Sequence, residues 1–224
     1  MLQDDFSQTI FLIVAGLFPI INPPGAGFIV LSLVPHASDA ERAAMARRIA
    51  INSFAILVVS LSVGAYVLSF FGISIPVLRI AGGLVVAKAG WDLLQSATSD
   101  DDNEPRESAP TNEPGRTRSM RARAFYPLTL PITVGPGSIS VAIALGTGAP
   151  SHGPSVPHMV GVGVALLLLA VSIYLCVRFA ARIGQLLGTA GTEVAARLFA
   201  FVMLCIGVQI LWLGVSGLLE TLPP

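Results

Sequence analysis

Pro19-Ile20-Ile21-Asn22-Pro23-Pro24-Gly25 and Pro131-Ile132-Thr133-Val134-Gly135-Pro136-Gly137 share the pattern Pro-Ile-x-x-x-Pro-Gly and stand half of the 224-residue chain apart. Each copy lies inside a long apolar run, where Pro removes a backbone donor and clashes with the preceding turn, so a helix there must break. Matching breaks in the two halves of an apolar chain are the sequence pattern of a carrier built from two repeats, with its binding site at the breaks.

The bulk composition supports a membrane setting. The chain is 54% hydrophobic and 12% charged, with a mean hydropathy of +0.77. A soluble domain carries about 25% charged residues. The formal net charge of zero argues against nucleic acid as a partner. Cys176 and Cys205 both sit in apolar runs and form no CxxC or metal-ligand spacing. Asp4 and Asp5 occupy the place where a secretory signal needs Lys or Arg, so the first apolar run is expected to remain as a span.

Runs near 20 residues, enough for about 30 Å of hydrocarbon, fall at 6–34, 50–71, 74–97, 124–148, 158–181 and 197–219. The expected fold is an all-α membrane protein of six transmembrane helices, arranged as two inverted three-helix repeats with spans 1 and 4 broken at Pro-Gly. The repeats are 1–97 and 124–224. Between them 98–123, rich in Asp, Glu, Pro and Ser, reads as a disordered linker. Arg42, Arg47 and Arg48 fall between spans 1 and 2, five arginines fall in the linker, and Arg178, Arg182 and Arg197 flank the 5–6 connection. The other loops and both termini carry no Lys or Arg. By the positive-inside rule, loops 35–49, 98–123 and 182–196 are cytoplasmic and both termini lie outside.

At the first break, a half-helix restarting near Gly25 offers backbone N–H groups and a partial positive charge to a carboxylate. Asn22 adds an amide, and Pro24 makes the break. At the second, Thr129, Thr133, Ser138 and Ser140 supply hydroxyls around Gly135 and Gly137. The expected substrate-binding set is Asn22, Pro24, Gly25, Thr133, Gly135, Gly137 and Ser138. The plainer alternative is that Pro and Gly kink packed helices. Arg79, near the outer end of span 3, either snorkels outward or turns inward to a carboxylate or to freed carbonyls as a gating or charge partner. Lys88 with Asp92, and Glu193 with Arg197, are spaced as helix-surface ion pairs. His36, His152 and His158 lie in or beside loops, so paired haem ligation within the bilayer is not expected. With no HExxH, GxSxG or intramembrane acid pair, no catalytic residue, metal or cofactor is expected.

Asn22-Pro23-Pro24-Gly25, the stretch Pro127 to Ile139, Arg79-Ile80-Ala81-Gly82-Gly83 and the last span from Arg197 to Gly214 resemble the MarC/SnatA family of integral membrane proteins. The resemblance implies six spans, a bacterial inner membrane and kinship with LysE-type exporters, some relatives carrying glycine and alanine. Ala26 and Phe28 depart from the family's first motif, which tends to have Asn and Pro there. The expected function is secondary transport of a small neutral amino acid or similar zwitterion, with H+ or Na+ left open as coupling ion and a homo-oligomer left open as assembly. The rival readings are a non-transporting membrane scaffold or partner subunit and, ranked last because only 7% of residues are aromatic, drug efflux.

Overall fold

A computed structural model describes residues 2–34, 37–96, 124–126, 128–147 and 156–220. These are helical, in the order α1 Leu2–Ile21, α2 Pro23–Leu33, α3 Asp39–Phe70 and α4 Ile75–Ser96. A π-type segment Leu128–Thr133 and α5 Pro136–Thr147 follow, then α6 Val156–Gly188 and α7 Ala190–Leu219. The linker expected at 98–123, His36 and His152 lie outside the described residues. By length and composition, four runs among the described residues can cross a membrane: Phe6–Leu33, Asp39–Phe70, Val156–Gly188 and Ala190–Leu219. The third expected span, α4, carries Arg79, Lys88 and Asp92 within 22 residues. The fourth is split, and only 12 residues continue as α5.

Two expected loops are helix instead. Residues 39–49, assigned to loop 35–49, form the first turns of α3. A capping box starts it: the Glu41 N–H donates to Ser38 Oγ at 3.3 Å and the Ser38 N–H donates to Glu41 Oε2 at 2.9 Å. The expected loop 182–196 shrinks to a reversal at Gly188, whose φ of 70° and ψ of −179° suit a residue without Cβ. Thr192 Oγ1 then donates its one proton to the carbonyl of Gly188 at 2.7 Å, with that of Gly184 the more distant acceptor at 3.1 Å, at the C-terminal end of α6. At the other end of α3, Gly72 (φ 65°) closes a Schellman turn: its N–H meets Ser69 O at 3.1 Å and the Ile73 N–H meets Leu68 O at 2.9 Å.

The core runs through the middle of the bundle. Ile13, Leu17 and Ile21 of α1 pack with Ile49 and Leu57 of α3, Val134, and Leu166, Leu169 and Ile173 of α6. The outside is as apolar as the inside: Tyr66, Phe70 and Leu186 are 77%, 85% and 87% exposed. Such a surface would associate in water and is at home in lipid.

One end of the bundle gathers the starts of α1 and α6, where Thr9 Oγ1 and His158 Nδ1 lie 2.9 Å apart. The opposite end brings Arg42, Leu93, Gly184 and Arg197 round one cavity. Lys88 and Asp92 form an exposed ion pair at 2.9 Å, and Glu193 pairs with Arg197. Both pairs follow the helical spacing read in the sequence.

Candidate functional site

At the first break α1 stops because Asn22 turns left-handed, with φ 46° and ψ 62°. It is the one non-glycine residue with positive φ among the described residues, and asparagine tolerates this region better than most side chains. Its own N–H still closes α1 on Phe18 O at 2.9 Å. Pro23 and Pro24 follow as the first two residues of α2 and contribute no N–H. The Gly25 N–H donates to Asn22 Oδ1 at 3.2 Å, and the Ala26 N–H donates to Asn22 O at 2.9 Å.

The N-terminus expected to offer free donors near Gly25 is therefore shut by Asn22, which acts as its cap. What the break leaves open is the other polarity. Pro23 and Pro24 cannot donate back to Pro19 and Ile20, and Gly25 has turned to the Asn22 side chain instead of Ile21. The carbonyls of Pro19, Ile20 and Ile21 consequently have no donor among the described residues. They form the negative end of the α1 dipole.

The cap has a measurable consequence. Asn22→Ala removes the Gly25 acceptor, worth about 1 kcal/mol, and places a Cβ residue without a local side-chain bond in the left-handed region, about 1 kcal/mol more. Asn22→Gly loses only the first. Thermal midpoints of the purified protein should fall in the order wild type, Asn22→Gly, Asn22→Ala. An alanine variant as stable as the glycine variant would refute the strained-cap account.

The second break has the opposite character. Leu130 is extended (φ −107°, ψ 126°) inside the Leu128–Thr133 segment, and buried hydroxyls repair the interrupted ladder. Thr129 Oγ1 donates to Ala124 O at 2.6 Å and Thr133 Oγ1 to Leu128 O at 2.7 Å. Ser138 Oγ donates to Gly135 O at 3.0 Å and Ser140 Oγ to Gly137 O at 2.7 Å. Such repair is what a broken helix in hydrocarbon requires. It also turns each hydroxyl's remaining lone pairs into acceptors. Asn52 Nδ2 approaches Thr129 Oγ1 at 3.4 Å from α3.

Here it is donors that remain. The Ile139 N–H closes the first turn of α5 on Gly135 O at 3.0 Å, and Pro136 has no N–H. The N–H groups of Gly135, Gly137 and Ser138 find no acceptor among the described residues, and all three residues are buried. Three buried donors at the positive end of a twelve-residue helix form an anion-binding arrangement.

The two broken segments pack against each other, α2 meeting the Leu128–Thr133 segment and α1 meeting α5. A Cβ built on Gly16 of α1 would lie 3.4 Å from Leu145 of α5. Behind the second break stands α4, so close at Gly82 that a Cβ there would lie 2.9 Å from Pro136 O and 3.1 Å from Gly137 N. Arg79 sits one turn from Gly82 on that helix. It is half-buried, its Nε is buried without a partner, and it pairs with no carboxylate or carbonyl among the described residues.

Of the expected site residues, Thr133, Gly135, Gly137 and Ser138 come together at the second break, while Asn22, Pro24 and Gly25 build the first. The unpaired carbonyls of residues 19–21 were missed. Two consecutive prolines opening a helix were the signal, since they delete the donors for residues four earlier.

Comparison with known proteins agrees with this architecture. A model of the family described as MarC family integral membrane protein matches residues 7–219. The inner membrane protein MarC of Salmonella typhimurium is 34% identical over 223 residues, spanning 97% of this chain and 98% of the relative. That of Citrobacter koseri is equally similar, and that of Escherichia coli O1:K1 is 32% identical over 222 residues with the same shares covered. No solved structure matches significantly.

Proposed function

The chain belongs to the MarC family of integral membrane proteins, and from that footing we propose that it is an inner-membrane carrier of small zwitterions, neutral amino acids being the class that fits. The observation that carries the reading is the opposite polarity of two breaks whose segments pack against each other. The carboxylate docks on the N–H groups of Gly135, Gly137 and Ser138. The ammonium faces the carbonyls of Ile20 and Ile21 and the hydroxyl oxygens of Thr129 and Thr133. A zwitterion brings both charges at once, so neither end of the site is left to desolvate an unpaired charge. Arg79, one turn away on α4, is the charge partner that gates the carboxylate side.

In this reading the chain crosses the membrane six times, α4 and the broken 124–147 segment completing the spans. The two halves are inverted repeats that rock about the breaks, with H+ or Na+ as the coupling ion. The packing of α1 and α2 against α5 and the Leu128–Thr133 segment supports this, because it brings the two broken helices together. The arginine-rich end is cytoplasmic and both termini lie outside. The test is counterflow of labelled glycine and alanine in proteoliposomes. Saturable exchange is expected, and its absence across the proteinogenic amino acids under both pH and sodium gradients would discard the proposal.

A further inference from the structure

Away from the breaks, a cavity of about 820 Å³ opens at the end of the bundle where α2 and α6 stop and α3 and α7 begin. Phe28, Ile29 and Leu93 give it apolar walls, while Arg42, Glu193 and Arg197 supply its charges. Ile29 lies six residues beyond the start of α2, so the cavity reaches to about 9 Å of helix from the first break.

Arg42 is the unusual wall. It is only 7% exposed and belongs to the first turns of α3, where the helix dipole already presents positive charge. Its Nη2 donates to Ala37 O at 2.8 Å, but its Nε is buried with no partner. No carboxylate among the described residues neutralises it: Glu41 turns to Ser38, and Glu193 is held by Arg197. A buried guanidinium without a counter-ion, set at the wrong end of a dipole, is strongly disfavoured unless an anion comes to it. The planar fork of its donors suits a carboxylate.

The geometry points to this cavity as a second binding site, taking the carboxylate of a neutral amino acid at Arg42 and its apolar side chain against Phe28, Ile29 and Leu93. Its volume lies within the range of small-molecule pockets, about 300–1,000 Å³, and exceeds what glycine needs, so the site favours larger apolar side chains such as that of leucine. Its role as the loading station for the central breaks rests on the transport reading; the binding itself does not.

Calorimetric titration of the full chain in phosphatidylcholine nanodiscs tests it. Leucine should bind, leucinamide should not, and glycine should bind at least ten-fold more weakly than leucine. Arg42→Gln should weaken leucine at least ten-fold, while Gly163→Leu, at an exposed position where an added Cβ meets nothing within 4 Å, should leave this affinity in place. Unchanged leucine affinity in Arg42→Gln, or equal affinity for leucinamide, overturns the inference without touching the central site. Arg42-dependent binding in a protein that shows no flux leaves the cavity site standing and sinks the transport reading alone. Should Arg42→Gln fail to fold, Ala196→Trp, which fills the cavity from α7, takes its place. Loss of leucine binding supports the site and unchanged binding overturns it. A headgroup occupant would make leucine binding vanish in phosphatidylglycerol nanodiscs, and that result also overturns the solute assignment.

Discussion

Gly83→Leu is expected to remove most of the folded protein from the membrane fraction, while Gly163→Leu leaves its yield and thermal midpoint unchanged. The difference lies in what each new side chain would meet. A Cβ on Gly83 would lie 2.5 Å from Leu211 N and 2.7 Å from Gly207 O, whereas one on Gly163 meets nothing within 4 Å. The same close approach recurs two turns along the seam, where a Cβ on Gly90 would lie 2.6 Å from Leu204 N. From the other side, one on Gly214 would lie 2.7 Å from Pro76 O.

Gly83 and Gly90 on α4 are thus set against α7, whose Gly207 and Gly214 repeat the seven-residue interval in the opposite direction. Small residues at such seams let backbones touch, which is how membrane helices gain packing without a hydrophobic driving force between them. Overpacking a core costs about 1–3 kcal/mol when side chains can shift. Here the obstacle is backbone on an opposing helix, so the cost sits at or above the top of that range, about 3 kcal/mol. Size-exclusion profiles and thermal midpoints in detergent read the result. A Gly83→Leu protein as abundant and stable as wild type would show that the α4–α7 seam does not hold the bundle together.

How far these features could be read from the chain depends on which physics sets them. Hydropathy reports how long a segment can sit in lipid, so it located Phe6–Leu33 and the last two helices well. It says little about where a helix stops once outside the lipid. Residues 39–49 continue α3 because Ser38 and Glu41 cap it, and residues 182–187 continue α6 until Gly188 reverses the chain. The capping box was visible in the sequence; the reversal was hidden among several glycines.

The positions of the two breaks were legible because proline removes a donor wherever it stands. Their polarity was not. That depended on Asn22 folding back onto Gly25, a left-handed conformation that residue type permits without requiring. Gly83 also reads as a packing glycine from the sequence, yet its partner at Gly207 emerges only from the antiparallel pairing of α4 and α7. Arg42 was hidden for a further reason. Arginine near a span end counts toward orientation as a solvated loop charge, and only the fold buries it.

Ser138→Pro should raise the half-saturating concentration for the transported amino acid about 10- to 100-fold, while Ser138→Ala raises it far less. The pair separates backbone from side chain. Ser138→Ala deletes the hydroxyl that donates to Gly135 O at 3.0 Å, a bond worth about 1 kcal/mol, and keeps the free N–H. Ser138→Pro deletes that N–H as well. Proline is tolerated in the first helical turn, where no intrahelical bond is lost. Pro23-Pro24 at the start of α2 shows that this chain already builds a half-helix with two such residues. Gly137 before the substitution lacks the Cβ that adds to the pre-proline clash. The excess loss in the proline variant therefore reports the charge-assisted bond from this N–H to the substrate carboxylate, about 1.5–3 kcal/mol. An amine analogue without the carboxylate should not distinguish the two variants. If proline and alanine give equal kinetics with intact protein, the carboxylate does not dock on the α5 N-terminus, and the polarity assigned to the second break is wrong.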